Sequence, residues 1–566
     1  MRSHYSILLA SFLLLSCAGQ RAPEGGPIDT EPPVIVTTSP PNYTTRFSGS
    51  SISIEFDKYV DHRSVEGAIF ISPSLGQLEF DWSGRELEIR FFGTLRRSTT
   101  YVVTIGTDVV DLHNRNKMAQ SYTLAFTTGE DIDHGAIEGR VFPIKETDPA
   151  TGVMIFAYKL DGLNSDTLDP RTTQPDYVTQ TGKNGSFLLQ HLAFGPYRVI
   201  AVRDEYKNLL YDPEVDEYGA QSRSIVLTPR DTLTSFVWMR LEKEDTTEVR
   251  LIKASSADRR QLMIDFSSPI DTAGLKQEWF HVVDTLTGRQ ITVQSVCPIF
   301  PKLTSVLVVT DTQTAMAGYR IDVSTLRGAS GLAMSPAAKS LGFTGANTLD
   351  TLGPRIAAFS VGDSAREVDL EPKFALQFSD AVQRRDVAQS ISLIDSGKGT
   401  IPLRVDWLSD ALVEISPLSK LPGKSWFTLR IGMRGIKNLE GRGGRDSLRV
   451  YRFQTVDDES FSSIEGTVSD SSSTDAKGGI YLSARNVSRK DPKEYTIRLG
   501  GPGPFVLGDI LEGKYLLRAY RDRNGDKKFS SGGVFPFHPS ERFTEYPDTL
   551  RVRARWPLEG VELKLH

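Results

Sequence analysis

The chain has 566 residues, with 66 Lys and Arg against 71 Asp and Glu and a formal net charge of −5. That length exceeds what one hydrophobic core fills, so several domains are expected. The mild acidity without any basic block excludes nucleic acid and anionic lipid headgroups as natural partners, and two cysteines exclude a disulfide-rich scaffold.

The amino-terminal stretch "MRSHYSILLASFLLLSC" carries a short basic start, then an uncharged apolar run from Tyr5 to Leu15. Eleven residues are too few to span a bilayer, which takes about 20 as a helix, but they suit the core of a secretory signal peptide. Leu14-Leu15-Ser16-Cys17 resembles the lipobox of bacterial lipoproteins, with an aliphatic residue, a small residue and then the thiol that is acylated. The resemblance implies cleavage after Ser16 and covalent lipid on Cys17, whose sulfur is the nucleophile the chemistry needs. Two or more acyl chains give stable membrane attachment. Loss of Arg2 with the leader gives a mature charge of 65 − 71 = −6. Residues 17–33, "CAGQRAPEGGPIDTEPP", read as a lipidated cysteine and a flexible tether. With Cys17 acylated, Cys297 stands alone, so no internal disulfide forms. Its place in "ITVQSVCPIF" reads as a small buried hydrophobe.

The rest of the chain divides by self-similarity. "ISIEFDKYV" from Ile52 returns as "LMIDFSSPI" from Leu262 and "FALQFSDAV" from Phe374, with Phe56, Phe266 and Phe378 in register. A second element follows each copy: "TTYVVTIG", "AGYRIDVS" and "SWFTLRIG". It aligns Tyr101, Tyr319 and Phe427, and each copy then closes on one of Phe126, Phe343 and Phe453. Apolar and polar residues alternate in all of them, the period of a strand with one buried face. No amphipathic helix is evident. This pattern, fullest in the first copy, resembles the bacterial Ig-like domain known from S-layer proteins.

A different unit occurs twice. "FLLQHLAFGPYRVIAVRD" from Phe187 and "FVLGDILEGKYLLRAYRD" from Phe505 align without a gap, preceded by "GAIEGRV" and "SSIEGTV". Strand, tight Gly turn and strand resemble the prealbumin-like, carboxypeptidase-regulatory-like sandwich with its G-x-V start and L-x-x-G-x-Y turn. The expected fold class is therefore all-β, a tandem array of β-sandwiches. Residues 1–16 form the signal peptide and 17–33 the tether. Ig-like domains occupy 34–130, 246–350 and 351–458, and regulatory-like sandwiches occupy 131–245 and 459–566.

No catalytic pattern emerges. The histidines lack zinc spacing, no G-x-S-x-G elbow occurs, and "GKS" at Gly423 follows Pro422 as a turn rather than a phosphate loop. The chain is expected not to be an enzyme and to need no cofactor beyond a possible structural calcium and the covalent lipid. Calcium is suggested by "DRNGDKKFS", which places Asp522, Asn524 and Asp526 at alternating positions. Lys527 then stands where glycine is wanted, so an Asp/Asn-capped turn is the alternative. The cognate loop keeps Asp204, Asn208, Asp212 and Asp216. After it, "GGVFPFHP" offers Phe535 and Phe537, either as an exposed partner-binding patch or as a loop folded over its own sandwich.

These readings together describe a lipid-anchored, non-catalytic scaffold or adhesion protein of the outer membrane. Its interaction surface is expected on the last domain, and its partner is an unidentified envelope protein or glycan, not nucleic acid. The alternatives are a glycan-binding surface lipoprotein, for which Trp556 and Tyr546 are the exposed-aromatic candidates, and an accessory subunit of an envelope assembly or secretion complex.

Overall fold

The computed structural model describes residues 28–161, 167–349, 351–396, 399–445, 447–470, 477–488 and 493–566. They are nearly all β. The longest helices among the described residues are one of five residues at His62–Glu66 and one of seven at Arg384–Ser390, both too short for sequence periodicity to reveal. No helix among the described residues is long and apolar enough to cross a membrane.

Alternation builds the sheets. In Ser51–Phe56 the side chains of Ile52, Ile54 and Phe56 are buried while those between them are half-exposed. Gln261–Phe266 repeats the pattern with Leu262, Ile264 and Phe266. Each such strand lies second in a four-stranded antiparallel sheet. In the first sandwich the order is Ile35–Ser39, Ser51–Phe56, Glu86–Phe91, Leu78–Ser83, faced by a sheet of Ile69–Ser72, Thr100–Ile105 and Tyr122–Thr127. The third and fourth sandwiches repeat this plan from Leu251 and Ile356.

The second and fifth sandwiches share another plan. In the second, Gly135–Phe142 lies between Ser186–Leu192, antiparallel, and Leu233–Arg240, parallel. In the fifth, Phe461–Asp470 lies likewise between Gly503–Leu511 and Leu558–Leu565. The parallel pairing brings the opening and closing strands of each sandwich side by side. Gly139 faces Val237 and Gly466 faces Val561, in both cases beside a register shift. The facing sheet is built on Gly195–Arg203 or Gly513–Asp522, each entered through a glycine at positive φ, 144° at Gly195 and 155° at Gly513.

The repeated tyrosines have a hydrogen-bonding role. Tyr101 Oη accepts the Arg96 N–H at 2.8 Å, and Tyr319 Oη accepts the Thr314 N–H at 2.7 Å, each five positions back. The fourth sandwich has Phe427 instead, and five positions back stands Pro422, which has no N–H to satisfy. All three rings stack on their closing phenylalanine with centroids 5.4–5.6 Å apart. Tyr101→Phe and Tyr319→Phe are each expected to cost about 1 kcal/mol, whereas Phe427→Tyr gains nothing. Urea-denaturation midpoints check this.

In the other type of sandwich the tyrosine bonds its own turn. Tyr197 Oη–H donates to Ala193 O at 2.7 Å, and Tyr515 Oη–H to Leu511 O at 2.5 Å. The same two residues donate their N–H groups to Tyr177 Oη and Tyr495 Oη, at 3.5 and 3.4 Å.

The chain forms two units: one runs up to Lys243 and includes Ser530–Glu541, the other is Glu244–Phe529 with Arg542–His566. Inside each unit, neighbouring sandwiches are fixed by buried contacts. In the first unit, Gln180 Oε1 accepts the Asp108 N–H at 3.2 Å and Gln180 Nε2 donates to Asp108 Oδ2 at 3.3 Å. Thr107 Oγ1–H donates to Thr181 O at 3.2 Å. Burial pushes the Asp108 carboxyl up, but the Lys117 ammonium and the Lys207 charge outweigh it and hold its pKa below the ordinary range. In the second unit, Cys297, Leu307 and Val309 pack against Ala381 and Ala411, with Ser295 Oγ–H donating to Asp410 Oδ2 at 2.7 Å. Burial pushes the Cys297 thiol up to about 11, so it is protonated and inert at neutral pH. Leu370 and Val456 meet Leu511 and Phe461 at the next joint, flanked by Lys493–Asp369 at 2.5 Å and Lys420–Asp509 at 2.6 Å.

Candidate functional site

Cys17 and the leader before it lie outside the described residues. The remaining candidates are two loops and one hairpin.

The Asp522 loop closes on itself. Asp522 Oδ1 accepts the Gly525 N–H at 2.7 Å, and its Oδ2 accepts the Lys527 N–H at 3.2 Å. Asn524 Oδ1 accepts from Asp526 N at 3.0 Å, Asp526 Oδ1 accepts from Lys528 N at 2.7 Å, and Asn524 Nδ2 donates to Asp526 Oδ2 at 2.9 Å. Lys527 takes a positive φ of 66° at the position where the calcium-loop pattern has glycine. These are the bonds of an Asx-rich turn.

The cognate loop is similar. Asp204 accepts from the N–H groups of Asn208 and Leu209, and Asp216 from those of Glu205 and Asp212. Burial pushes the Asp216 carboxyl up. The two N–H groups pull it back only in part, while the charges of Asp204 and Asp212 push it further. Among the described residues no group of three or more His, Cys, Asp or Glu side chains is placed to hold a metal ion.

Ser530–Glu541 carries the other two predicted residues and belongs to the first unit. At its base Ser530 O accepts the Glu541 N–H at 2.9 Å, and at its tip Gly533 and His538 exchange N–H···O bonds of 2.9 and 3.0 Å. Gly532 has a φ of 82°, and a Cβ there would sit 2.4 Å from His538 O, so the bend needs glycine.

The hairpin lies on the second sandwich. Ala220 N–H donates to Ser531 O at 3.3 Å, Ser540 N–H to Gln221 O at 3.1 Å, and Tyr218 Oη–H to Gly532 O at 3.0 Å. Val534, 2% exposed, joins an apolar cluster of Phe156, Tyr158, Ile200, Val202, Tyr211 and Tyr218. The Arg171 guanidinium sits 4.4 Å over the Phe535 ring, and that of Arg198 sits 3.9 Å over Phe537.

The receiving surface is the outer face of the sheet containing Met154–Lys159 and Gly195–Arg203, whose inner face holds the main core through Val199 and Ala201. Both faces are therefore dry, and both strands read as nearly continuous apolar runs. The edge strand Glu217–Ala220 is covered at one end by Glu242–Lys243 and at the other by the hairpin. Tyr158 Oη is buried there without a hydrogen-bond partner among the described residues, and burial raises its pKa. Trp556 is 74% exposed, whereas Tyr546 packs on the core of the fifth sandwich.

The family model described as Bacterial Ig-like domain matches residues 29–128 and 350–455. The third sandwich has the related two-sheet plan but lies outside the matched residues. No curated protein matches the chain. Among solved structures, surface layer protein SbsC, domains 1–6, is 11% identical, with a TM-score of 0.17 over 94% of this chain and 68% of that one. The N-terminal part of the bacterial S-layer protein SbsC is 12% identical, with a TM-score of 0.17 over 37% of this chain, which spans 44% of that structure. The LD transpeptidase LdtMt1 in complex with imipenem is 13% identical, with a TM-score of 0.16 over 26% of this chain and 74% of that one. None of these structural likenesses bears on function. The two matched segments are similar to the bacterial Ig-like domain and lie within a longer chain whose described residues are nearly all β.

Proposed function

We propose that this chain is a non-catalytic scaffold of the bacterial cell envelope, fastened to the outer membrane by lipid on Cys17. The sandwiches hold interaction surfaces clear of the lipid, and residues 17–33 act as the tether. The observation that carries this reading is the way neighbouring sandwiches within each unit are fixed by buried and half-buried side chains. Gln180 and Asp108 do so in one unit, and Cys297, Leu307 and Ala411 in the other. Joints closed by apolar packing and hydrogen bonds suit holding a fixed spacing rather than flexing, since loosely joined domains bury little between them. The Ig-like family match of two segments supports the envelope setting.

The test is metabolic labelling with radioactive palmitate followed by membrane fractionation. Label is expected in the wild-type protein and not in Cys17→Ser, which should leave the membrane fraction. A Cys17→Ser protein that stays membrane-bound, with no label in the wild type, ends the anchored-scaffold reading. Protease treatment of intact cells then reports whether the domains face outward or into the periplasm.

A further inference from the structure

Tyr218 and Gly532 are 314 positions apart in sequence, yet the hairpin that contains Gly532 is seated as a ligand is seated. Backbone bonds run along the sheet edge at Ala220 and Gln221, an aliphatic side chain enters a tyrosine-lined hollow, and two guanidiniums lie over two rings flanking a proline. Edge bonding supplies affinity without sequence preference, whereas the side-chain sites select what binds. Arg198 is held nearly buried under Phe537, so the site is shaped for an aromatic ring rather than for solvent.

The related fifth sandwich shows what this face is like without such a ligand. Register pairs Met154, Phe156, Tyr158, Ile200 and Val202 with Tyr481, Ser483, Arg485, Arg518 and Tyr520. The second sandwich thus has Phe156, Ile200 and Val202 where its counterpart has Ser483, Arg518 and Tyr520, and Arg198 where the counterpart has Leu516.

We propose that the outer face formed by Tyr158, Arg171, Arg198, Tyr211, Tyr218 and Gln221 is a peptide-recognition site for a Val-Phe-Pro-Phe turn, and that Ser530–Glu541 is its built-in, exchangeable occupant. The partner it fits is a short apolar segment with two aromatics flanking a proline. This assignment is independent of the lipid anchor.

The experiment uses the full chain and a fluorescent synthetic peptide carrying the sequence from Phe529 to Arg542. Wild type, whose site is filled, should bind the peptide weakly. The Phe535→Ala/Phe537→Ala variant should bind it at least tenfold more tightly, and adding Arg198→Ala should remove most of that gain. Hydrogen exchange at the Ala220 amide should rise tenfold or more in the double variant while that of Ile155 stays protected, which shows that the sandwich remains folded. Gly532→Ala, which breaks the bend without touching either ring, should act in the same direction. Equal peptide binding by wild type and both variants, or none by any of them, overturns the proposal and leaves the hairpin a fixed part of the fold.

Discussion

Asp470→Ala is expected to lower the stability of the fifth sandwich by about 3–5 kcal/mol, the cost of removing one partner from a buried ion pair. The Asp470 side chain is 3% exposed, and those of Arg521 and Arg542 are 2% exposed. Arg521 donates to Asp470 Oδ2 from Nε at 3.0 Å and from Nη2 at 2.7 Å, and Arg542 Nη2 reaches the same oxygen at 3.0 Å while its Nη1 bonds Oδ1. Two guanidiniums thus share one carboxylate away from water, and alanine would remove that shared counter-charge from both and leave a void. The second sandwich supplies an internal control. Its Arg203, aligned with Arg521, pairs with Glu217 at 3.0 Å, but these side chains are 23% and 25% exposed. Glu217→Ala should therefore cost about 1 kcal/mol or less. Urea titration of the full chain, followed by hydrogen exchange within Phe461–Asp470, separates the two. An Asp470→Ala midpoint no lower than that of Glu217→Ala would count against the buried cluster as a main support.

The second large effect is expected from Gly139→Ala and Gly466→Ala. A Cβ on Gly139 would lie 1.9 Å from Val237 O, and one on Gly466 1.9 Å from Val561 O. Both obstacles are backbone atoms of the parallel closing strand, so no rotamer change relieves them and the strands must separate. Gly139 would also press on the Phe187 ring at 2.7 Å. Overpacking costs about 1–3 kcal/mol where side chains can adjust, so the upper end or more is expected here. Gly500, with nothing within 4 Å of its Cβ position, is the control, and Gly500→Ala should change stability by less than about 0.5 kcal/mol. Thermal melts of the three variants decide this, and an unshifted melt for Gly466→Ala would contradict it.

The all-β character was readable because alternation is local. Ile52, Ile54 and Phe56 announce a buried face without reference to anything distant. The repeat of Tyr101, Tyr319 and Phe427 was equally visible in sequence. The reason for the exception was not, because Pro422 matters only once the tyrosine hydroxyl is known to seek an amide five positions back. Tyr177 and Tyr495 were missed, although both stand 20 residues before the turn tyrosines Tyr197 and Tyr515. The short helix Arg384–Ser390 has too few residues to show a period.

The resting place of Phe535 and Phe537 could not be read from their own neighbourhood, since their contacts are hundreds of residues away. One signal did exist: comparing the two related strands shows Ile200 and Val202 where the later copy has Arg518 and Tyr520. Apolar residues on both faces call for a cover, and the sequence of the second sandwich contains none.

The side-by-side placing of first and final strands in the second and fifth sandwiches has a consequence for biogenesis. Ser469 bonds Leu563 O across 94 positions, so the core of the fifth sandwich closes only once its final strand has joined its first. Closing a loop of that length is an entropic cost met before the core contacts offset it, so slow folding is the expected consequence of this topology.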